Sequence, residues 1–356
     1  MTRTTSHPLL EQLGRIALHD DHSETELQAA LAELNTLPDE ELKLQGLLLC
    51  GEYYCNRQLL HDAARFFREA ANRARQLHLW SVLAHAQHWQ AQIKLLQGEH
   101  LRALDTWLHS LDHAIDSEDD SAFVRAYSGI GQVCFAYQQY EQALIYQTMA
   151  CTLAERLSQP DLVLTSRLNL LSTLYRNGQY DEADTILALL ENQLDESHSP
   201  VWHCECMTYR GLLTLARGQH ADALEQLRQA QELNQHHGSH FSDALSSIGL
   251  GRIHLALRQL EQARRHLEHA LDLSRNFPGL TLQLESHELL EQVAEQQHDF
   301  ASALTHHKEK HHLQMDMLRK QVEQRLNRIS QRQLAPLEHL LRLERHRLRY
   351  APPTSS

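Results

Sequence analysis

The sequence contains few of the residues that build turns, sheets and covalent cross-links. Its 356 residues include only 13 glycines, 8 prolines and 6 cysteines, and aromatic residues make up 6%. β-Branched residues are also sparse, whereas Leu, Ala, Gln, Glu and His are abundant. This composition favours helix over strand throughout. We therefore expect an all-α protein.

The few cysteines and the lack of long apolar runs point to a cytoplasmic location. The cysteines are scattered, and a chain of this size does not need disulfides to be stable. The first residues, MTRTTSHPLLEQLGRIALHDD, lack the apolar core of a signal peptide. No apolar run approaches the roughly 18 residues that span a bilayer. We expect reduced thiols and no contact with a membrane.

The net charge of -13 is unevenly distributed along the chain. Residues 1–300 carry 22 Lys and Arg against 41 Asp and Glu, and residues 301–356 carry 11 against 5. An acidic body repels the phosphates of nucleic acids. We therefore do not expect a nucleic acid as the partner.

One short phrase recurs every 40 residues. Its central alanine occurs seven times without a slip, at Ala63, Ala103, Ala143, Ala183, Ala223, Ala263 and Ala303. Three residues before each alanine there is a ring-bearing residue or a leucine. Four residues after it the side chain is mostly bulky, and seven residues after it the side chain is mostly small. Twelve residues before it, a glycine or alanine stands in five of the seven copies, with Leu171 and Glu291 as the exceptions.

This pattern predicts pairs of antiparallel helices. Offsets of three, four and seven mark one face of a helix, and small residues let two helices approach closely. Gly-containing phrases such as NGQ at 177–179 predict the tight turn within a pair. Because one pair cannot bury its own apolar face, successive pairs must stack into a solenoid.

The repeated phrase resembles that of the tetratricopeptide repeat family. The resemblance covers residues 41–312 in seven copies and implies a right-handed helical solenoid, with a period of 40 instead of the usual 34. HEAT repeats share the 40-residue period but lack the aromatic and alanine phrase. We expect capping helices in 1–40, the second opened by Ser23 and Glu26, and a basic helical tail in 313–356.

The tail is expected to extend the last helix of the array. A stripe of apolar residues continues past the last repeat, formed by Met315, Leu318, Val322, Leu326 and Ile329, hereafter the tail stripe. This stripe either packs back on the array or joins two chains in a dimer, and we favour the dimer. Pro336 then suits the start of a short basic helix.

The layout resembles bacterial signalling proteins in which a tetratricopeptide sensor precedes a long helix and an output domain such as a diguanylate cyclase. No output motif follows the helix in this sequence. The chain therefore either acts by binding alone or is the sensor part of a protein whose output domain is absent.

No residue set predicts catalysis, a cofactor or a metal site. There is no phosphate-binding glycine loop, and the histidines at 306, 307, 311 and 312 lack a Cys or acidic partner at a telling spacing. A solvated helix face is the better interpretation of these histidines. Cys204 and Cys206 point in different directions on a helix and are expected to be buried thiols.

Family resemblance places the ligand contacts on the first helix of each repeat, which lines the concave side. Positions 15, 11 and 7 residues before the repeated alanine, with neighbours on the same helices, give the candidate partner-binding residues His88, Gln92, Arg125, Ser128, Gln132, Phe135, Tyr175, Arg176, Thr208 and Arg252. Amide, arginine and aromatic side chains suit an extended peptide or a helix. The paired Lys and Asn of chaperone-binding members are missing.

Two functions from different classes fit this sequence. The first is a non-catalytic scaffold or sensor in bacterial signalling that binds a protein or peptide in the groove. The second resembles the peptide-regulated response-regulator phosphatases, which also have 40-residue repeats. We favour the first, because only about 36 residues precede the array and the phosphatases carry a catalytic amide on an N-terminal helical bundle.

Overall fold

A computed structural model of the chain describes residues 7–18, 24–57, 59–117, 119–157, 159–194, 200–237, 239–275 and 280–329. These residues form sixteen α-helices and no strand. The expected all-α class is therefore confirmed.

The helices follow one another in a regular order. They are α1 (Pro8–Leu18), α2 (Glu24–Leu34), α3 (Glu40–Asn56), α4 (Leu60–Gln76), α5 (Trp80–Leu96), α6 (His100–Ser117), α7 (Asp120–Ala136), α8 (Tyr140–Leu157), α9 (Pro160–Arg176), α10 (Tyr180–Gln193), α11 (Pro200–Ala216), α12 (His220–His237), α13 (His240–Ala256), α14 (Leu260–Ser274), α15 (Leu280–Gln296) and α16 (Phe300–Ile329).

Seven helical pairs, from α3/α4 to α15/α16, repeat with the period of the sequence. Both the first and the second helices of successive pairs begin 40 residues apart. The first helices of neighbouring pairs contact one another, whereas successive second helices have at most marginal contacts. In a curved stack the helices on the concave side are the closer ones, so α3, α5, α7, α9, α11, α13 and α15 are the inner helices. The expected solenoid is confirmed.

The small residues of the phrase lie where the two helices of a pair meet. The repeated alanine is completely buried in the first six pairs and 7% exposed in the last. A Cβ added to Gly251 would lie 2.6 Å from the Leu267 side chain, and one added to Gly211 would lie 2.7 Å from Leu227. Helices α11 and α13 therefore need glycine opposite the leucine of their outer partners.

The turn within each of the last six pairs contains one residue with a left-handed backbone. The positions are again 40 residues apart, and glycine occupies those at Gly98, Gly178 and Gly218 with φ of 74°, 78° and 78°. Glutamine, arginine and histidine occupy the same turn elsewhere, for example Arg258 with φ of 57°. Left-handed backbone costs an L-residue roughly 1–2 kcal/mol, so stacking of the repeats holds these turns in place.

Helices α1 and α2 cover the first end of the array. Leu13, Leu27 and Leu34 are completely buried against a core that includes Leu44 of α3. The core continues along the stack as two further clusters that reach Val293 of α15. Ser23, the expected cap of α2, lies outside the described residues, and the domain boundaries remain predictions.

The last pair replaces apolar packing with ionic contacts. Glu291 stands where most other repeats have a small residue, and its carboxylate contacts His307 Nδ1 at 2.8 Å and Lys310 Nζ at 2.7 Å. Burial alone would raise the pKa of Glu291, but hydrogen bonds from Lys310 and His307 outweigh burial and lower it. The polar substitutions in this repeat thus compensate one another.

Helix α16 continues past the array, as expected, as far as Ile329. Met315 and Leu318 of the tail stripe are each 47% exposed, so these two residues are not packed back on the array within one chain. The side chains of Val322, Leu326 and Ile329 and the segment around Pro336 lie outside the described part of the chain.

Candidate functional site

The inner face of the groove follows a different row of residues from the one expected. Gln45, His85 and Arg125, each 18 residues before a repeated alanine, line one cavity between α3, α5 and α7. Residues at the offset of 15 are instead packed between helices: Ser128 is 7% exposed and Thr208 1%. The Thr208 hydroxyl donates to the Cys204 carbonyl at 2.8 Å.

Ser128 and Thr208 were expected on the open wall of the groove, but both side chains are buried between helices. Residues 18, 14, 11 and 7 positions before the repeated alanine are spaced four, three and four residues apart, so they share one helix face. Residues 15 positions before the alanine lie beside that face. Arg125 is the member of the offset-18 row that sequence analysis selected. Arg125 and Gln132 are seven residues apart, and this spacing in the sequence indicates the helix face that lines the groove.

At the N-terminal end of the groove, four side chains from three inner helices converge. Trp89 of α5 donates its indole N–H to the Glu52 carboxylate of α3 at 2.9 Å, and His85 Nε2 lies 3.6 Å from the same carboxylate. Arg125 of α7 lines the cavity that Glu52 and His85 also line. Arg125 makes no salt bridge or side-chain hydrogen bond with another described residue.

Burial determines the ionisation of this cluster. It raises the pKa of Glu52 to about 7, although the Trp89 hydrogen bond and the Arg125 charge act in the opposite direction. Burial, reinforced by the Arg125 charge, holds the pKa of His85 well below its usual range. The imidazole is therefore neutral. The Arg125 guanidinium is attracted by Asp119 and Glu52 but forms a salt bridge with neither, and Glu52 titrates near neutrality.

His88 is a structural partner of Trp107. The Trp107 indole donates to His88 Nδ1 at 3.1 Å, and Trp107 is completely buried. Burial and the nearby Arg125 charge lower the pKa of His88 to about 3. The ring is therefore neutral with Nδ1 as an acceptor, and it also forms a backbone hydrogen bond with Arg125.

Three amide side chains form a row across adjacent inner helices. Gln132 of α7 donates Nε2 to Asn169 Oδ1 of α9 at 3.2 Å, and Gln92 occupies the position of Gln132 one repeat earlier, on α5. Gln92 Oε1, Gln132 Oε1 and Asn169 Nδ2 are buried without a hydrogen-bond partner among the described residues. The row therefore contains two unpaired acceptors and one unpaired donor. Asn169 was missed because its offset of 14 was not considered.

Arg176 and Arg252 already have a counterion within the chain. Arg176 of α9 forms an ion pair with Glu285 of α15, and Arg252 Nη2 of α13 lies 2.7 Å from the other oxygen of Glu285. Burial alone would raise the pKa of Glu285, but the two guanidinium groups hold it below its usual range. The arginines were expected to face a partner, and the structure shows that they link inner helices of the last four repeats.

The remaining candidate residues are aromatic. Tyr175 is 7% exposed, lies between the rings of Tyr180 and Tyr209 with centroid distances of 5.8 Å, and accepts a hydrogen bond of 3.4 Å from Arg252. Phe135 packs edge-on against Tyr140 at 5.4 Å. Both candidates thus support neighbouring helices, and their contact with a partner remains a prediction.

Glu205, like His85, was not predicted from the sequence because it lies in the offset-18 row. Glu205 of α11 has no hydrogen bond or ion pair with another described residue, and burial raises its pKa to about 7. A lone glutamate in an acidic helical sequence gives no signal of its own. Only the register of the row identifies it.

Comparison with known proteins confirms the repeat class. The tetratricopeptide repeat family model matches residues 246–277, in the sixth pair. No curated protein sequence matches this chain. Within the described residues, no helix has the length and apolar character needed to cross a membrane. The chain thus contains a tetratricopeptide repeat at residues 246–277, within a solenoid of similar helical pairs.

Solved structures of similar fold include a Rap protein and NprR. A Rap protein complexed with competence and sporulation factor has a TM-score of 0.60 at 12% identity, and the match covers 87% of this chain and 98% of that one. NprR in complex with its cognate peptide NprX has a TM-score of 0.54 at 14% identity, with coverage of 80% and 82%. The apo form of NprR from B. thuringiensis has a TM-score of 0.54 at 12% identity, and the match covers 87% of this chain and 97% of that one. At these identities the likeness concerns the fold.

Proposed function

We propose that this protein is a non-catalytic, cytoplasmic sensor or scaffold in signal transduction that binds a peptide, or an extended segment of a partner protein, in its inner groove. The main support for this proposal is the amide row formed by Gln92, Gln132 and Asn169. Its two unpaired acceptors and one unpaired donor lie on three adjacent inner helices.

A peptide backbone supplies the groups that this row lacks. Each residue of an extended ligand offers one N–H and one C=O, and neither depends on its side chain. Leaving a buried polar atom unpaired costs roughly 1–3 kcal/mol, so a ligand that satisfies three of them recovers several kcal/mol. Rap and NprR, which share the fold, are named in complex with a signalling factor and a cognate peptide, respectively.

The experiment uses the full chain and a pool of short synthetic peptides of random sequence. The immobilised protein is exposed to the pool, and the retained peptides are identified by mass spectrometry. The affinities of the retained peptides are then measured for the wild type, Gln132→Leu and Asn169→Leu. We expect each variant to bind about 5- to 150-fold more weakly, which corresponds to roughly 1–3 kcal/mol.

A matched control distinguishes binding from folding. Gln229→Leu removes an exposed amide of α12 and should leave peptide affinity unchanged. Gln132→Leu also removes the hydrogen bond from Gln132 to Asn169, so the unfolding temperature of each variant is measured and the affinities are compared at a temperature at which every variant is folded. If the wild type retains no peptide, peptide binding is refuted. If the two groove variants bind as tightly as the control, the site lies elsewhere on the protein.

A further inference from the structure

The cavity at the N-terminal end of the groove has a volume of about 440 Å³. This volume lies within the range of roughly 300–1,000 Å³ that is typical of ligand pockets. Its wall is formed by α3, α5 and α7, and Leu48, Leu49 and Val82 supply apolar surface. The cavity is therefore large enough for one or two residues of a peptide.

Most polar groups around the cavity already have partners in the chain. Asp119 accepts hydrogen bonds from the Ser81 hydroxyl and from the backbone N–H of Ala122 at 3.1 Å. Ser121 and Gln159 are hydrogen-bonded to each other at 3.0 Å. These groups fix the rim of the cavity and link successive inner helices.

Two groups in the cavity differ from the others. Arg125 has no hydrogen-bonding or ion-pair partner for its guanidinium among the described residues. Glu52 is 20% exposed and uses one carboxylate oxygen for the Trp89 indole. Although Arg125 and Glu52 line the same cavity, from α7 and from α3, they form no salt bridge with each other.

Charge excludes both ionic classes of ligand. A carboxylate on Arg125 would lie in a cavity that Glu41, Glu52 and Asp119 also line. An ammonium or guanidinium group on Glu52 would face the unpaired charge of Arg125. A neutral amide avoids both repulsions, because its carbonyl oxygen accepts from the guanidinium while its N–H donates to the carboxylate.

We propose that this cavity is a subsite for a neutral amide group of the peptide ligand, with the carbonyl oxygen on Arg125 and the N–H on Glu52. The inference rests on the proposed function and adds the chemistry that the groove selects. The amide belongs either to an Asn or Gln side chain or to a main-chain peptide unit.

The test uses pools of short synthetic peptides that differ at one scanned position at a time. At that position a pool has Asn and Gln, Asp and Glu, Lys and Arg, or Ala. Retention by the immobilised full chain is quantified for the wild type, Glu52→Gln and Arg125→Met. Arg102→Met, which changes an arginine whose side chain is 75% exposed, is the matched control.

For the wild type, we expect one position at which both charged pools are retained at least about fivefold less than the Asn and Gln pool. Glu52→Gln should raise retention of the acidic pool at that position, because it removes the repelling carboxylate. Arg125→Met should raise retention of the basic pool. Arg102→Met should keep the wild-type preference.

The same peptide pools show whether the bound amide belongs to a side chain or to the main chain of the ligand. Higher retention of Asn and Gln than of Ala identifies a side-chain amide. Equal retention of these two pools, with both charged pools lower and weaker binding after N-methylation of the ligand backbone, identifies a main-chain unit.

Other results overturn the inference. A wild-type preference for the acidic or basic pool, or unchanged preferences in both cavity variants, would refute the amide subsite while peptide binding stands. The wild-type preference is decisive by itself if a variant does not fold. Retention of no peptide at all would refute the proposed function and the amide subsite together.

Discussion

The ion pair between Arg176 and Glu285 should stabilise the fold much more than the ion pairs on the outer surface. The two residues are 109 positions apart and lie on α9 and α15, with α11 and α13 between them along the chain. Their side chains are only 14% and 11% exposed. Glu285→Gln removes the charge of the carboxylate while retaining the shape of the side chain.

The expected loss follows from what remains after this substitution. Removing one partner of a buried ion pair costs about 3–5 kcal/mol, because the other charge stays buried without compensation. Arg252 is 38% exposed and stays hydrated, so most of the loss comes from Arg176. Since the glutamine oxygen still accepts a hydrogen bond, we expect a loss of about 3 kcal/mol in the free energy of unfolding.

The assay is urea denaturation at pH 7 followed by circular dichroism. Glu191→Gln is the control, because Glu191 pairs with Arg210 at the surface with side-chain exposures of 30% and 48%. Such pairs contribute about 0–1 kcal/mol. The double variant Arg176→Met, Glu285→Leu should be within about 1 kcal/mol of the wild type, because it leaves neither charge of this pair buried.

The pH dependence gives a second test of the ion pair. The pKa of Glu285 is lower in the folded protein than its usual value, so its stabilisation is complete above the pKa of the unfolded state. It is lost as the pH falls through the folded value. The difference between the wild type and Glu285→Gln should therefore shrink in acid. Equal losses for Glu285→Gln and Glu191→Gln at pH 7 would refute the reasoning.

Four further substitutions test other parts of the structure. Gly251→Ala should lower the free energy of unfolding by about 1–3 kcal/mol in urea, because its methyl group meets the outer helix. Arg258→Gly should raise it by up to about 1 kcal/mol, since relief of roughly 1–2 kcal/mol at positive φ exceeds the added entropy of the unfolded chain. Burial raises the pKa of Glu205 to about 7, so its charging destabilises the fold as the pH rises. Glu205→Gln should therefore stabilise the protein by about 3 kcal/mol at pH 8 and have no effect at pH 4. Leu318→Asp should convert a dimer to a monomer in light scattering, and a wild-type chain that is already monomeric would refute the tail dimer.

The sequence predicts the repeat architecture because the pattern is local. Each pair encodes its own contacts through residues fewer than twenty positions apart, such as Gly251 and Leu267, so a period of 40 determines every helix of the array. The turns show the limit of this reasoning. Gly178 gives a clear turn signal, whereas Arg258 adopts the same left-handed backbone without a signal in its residue type.

The groove was predicted less completely because its inner face depends on how the helices rotate in the stack. Choosing the offset of 15 in place of 14 selected Thr208, which is buried, and missed Asn169. His85 and Glu205 were missed because they lie at the offset of 18. The pairing of Arg176 with Glu285 depends on the curvature of four successive repeats. No spacing within one repeat encodes that curvature.

The positions of these features limit the length of the ligand. The cavity begins at α3, the amide row ends at α9, and Arg176 at the end of α9 is already joined to Glu285. Neighbouring helices pack about 8–10 Å apart, so the three intervals from α3 to α9 span about 24–30 Å. An extended chain advances roughly 3.3 Å per residue, which corresponds to about seven to nine residues. A longer peptide must displace the Arg176–Glu285 pair or leave the groove, so additional residues should not increase affinity.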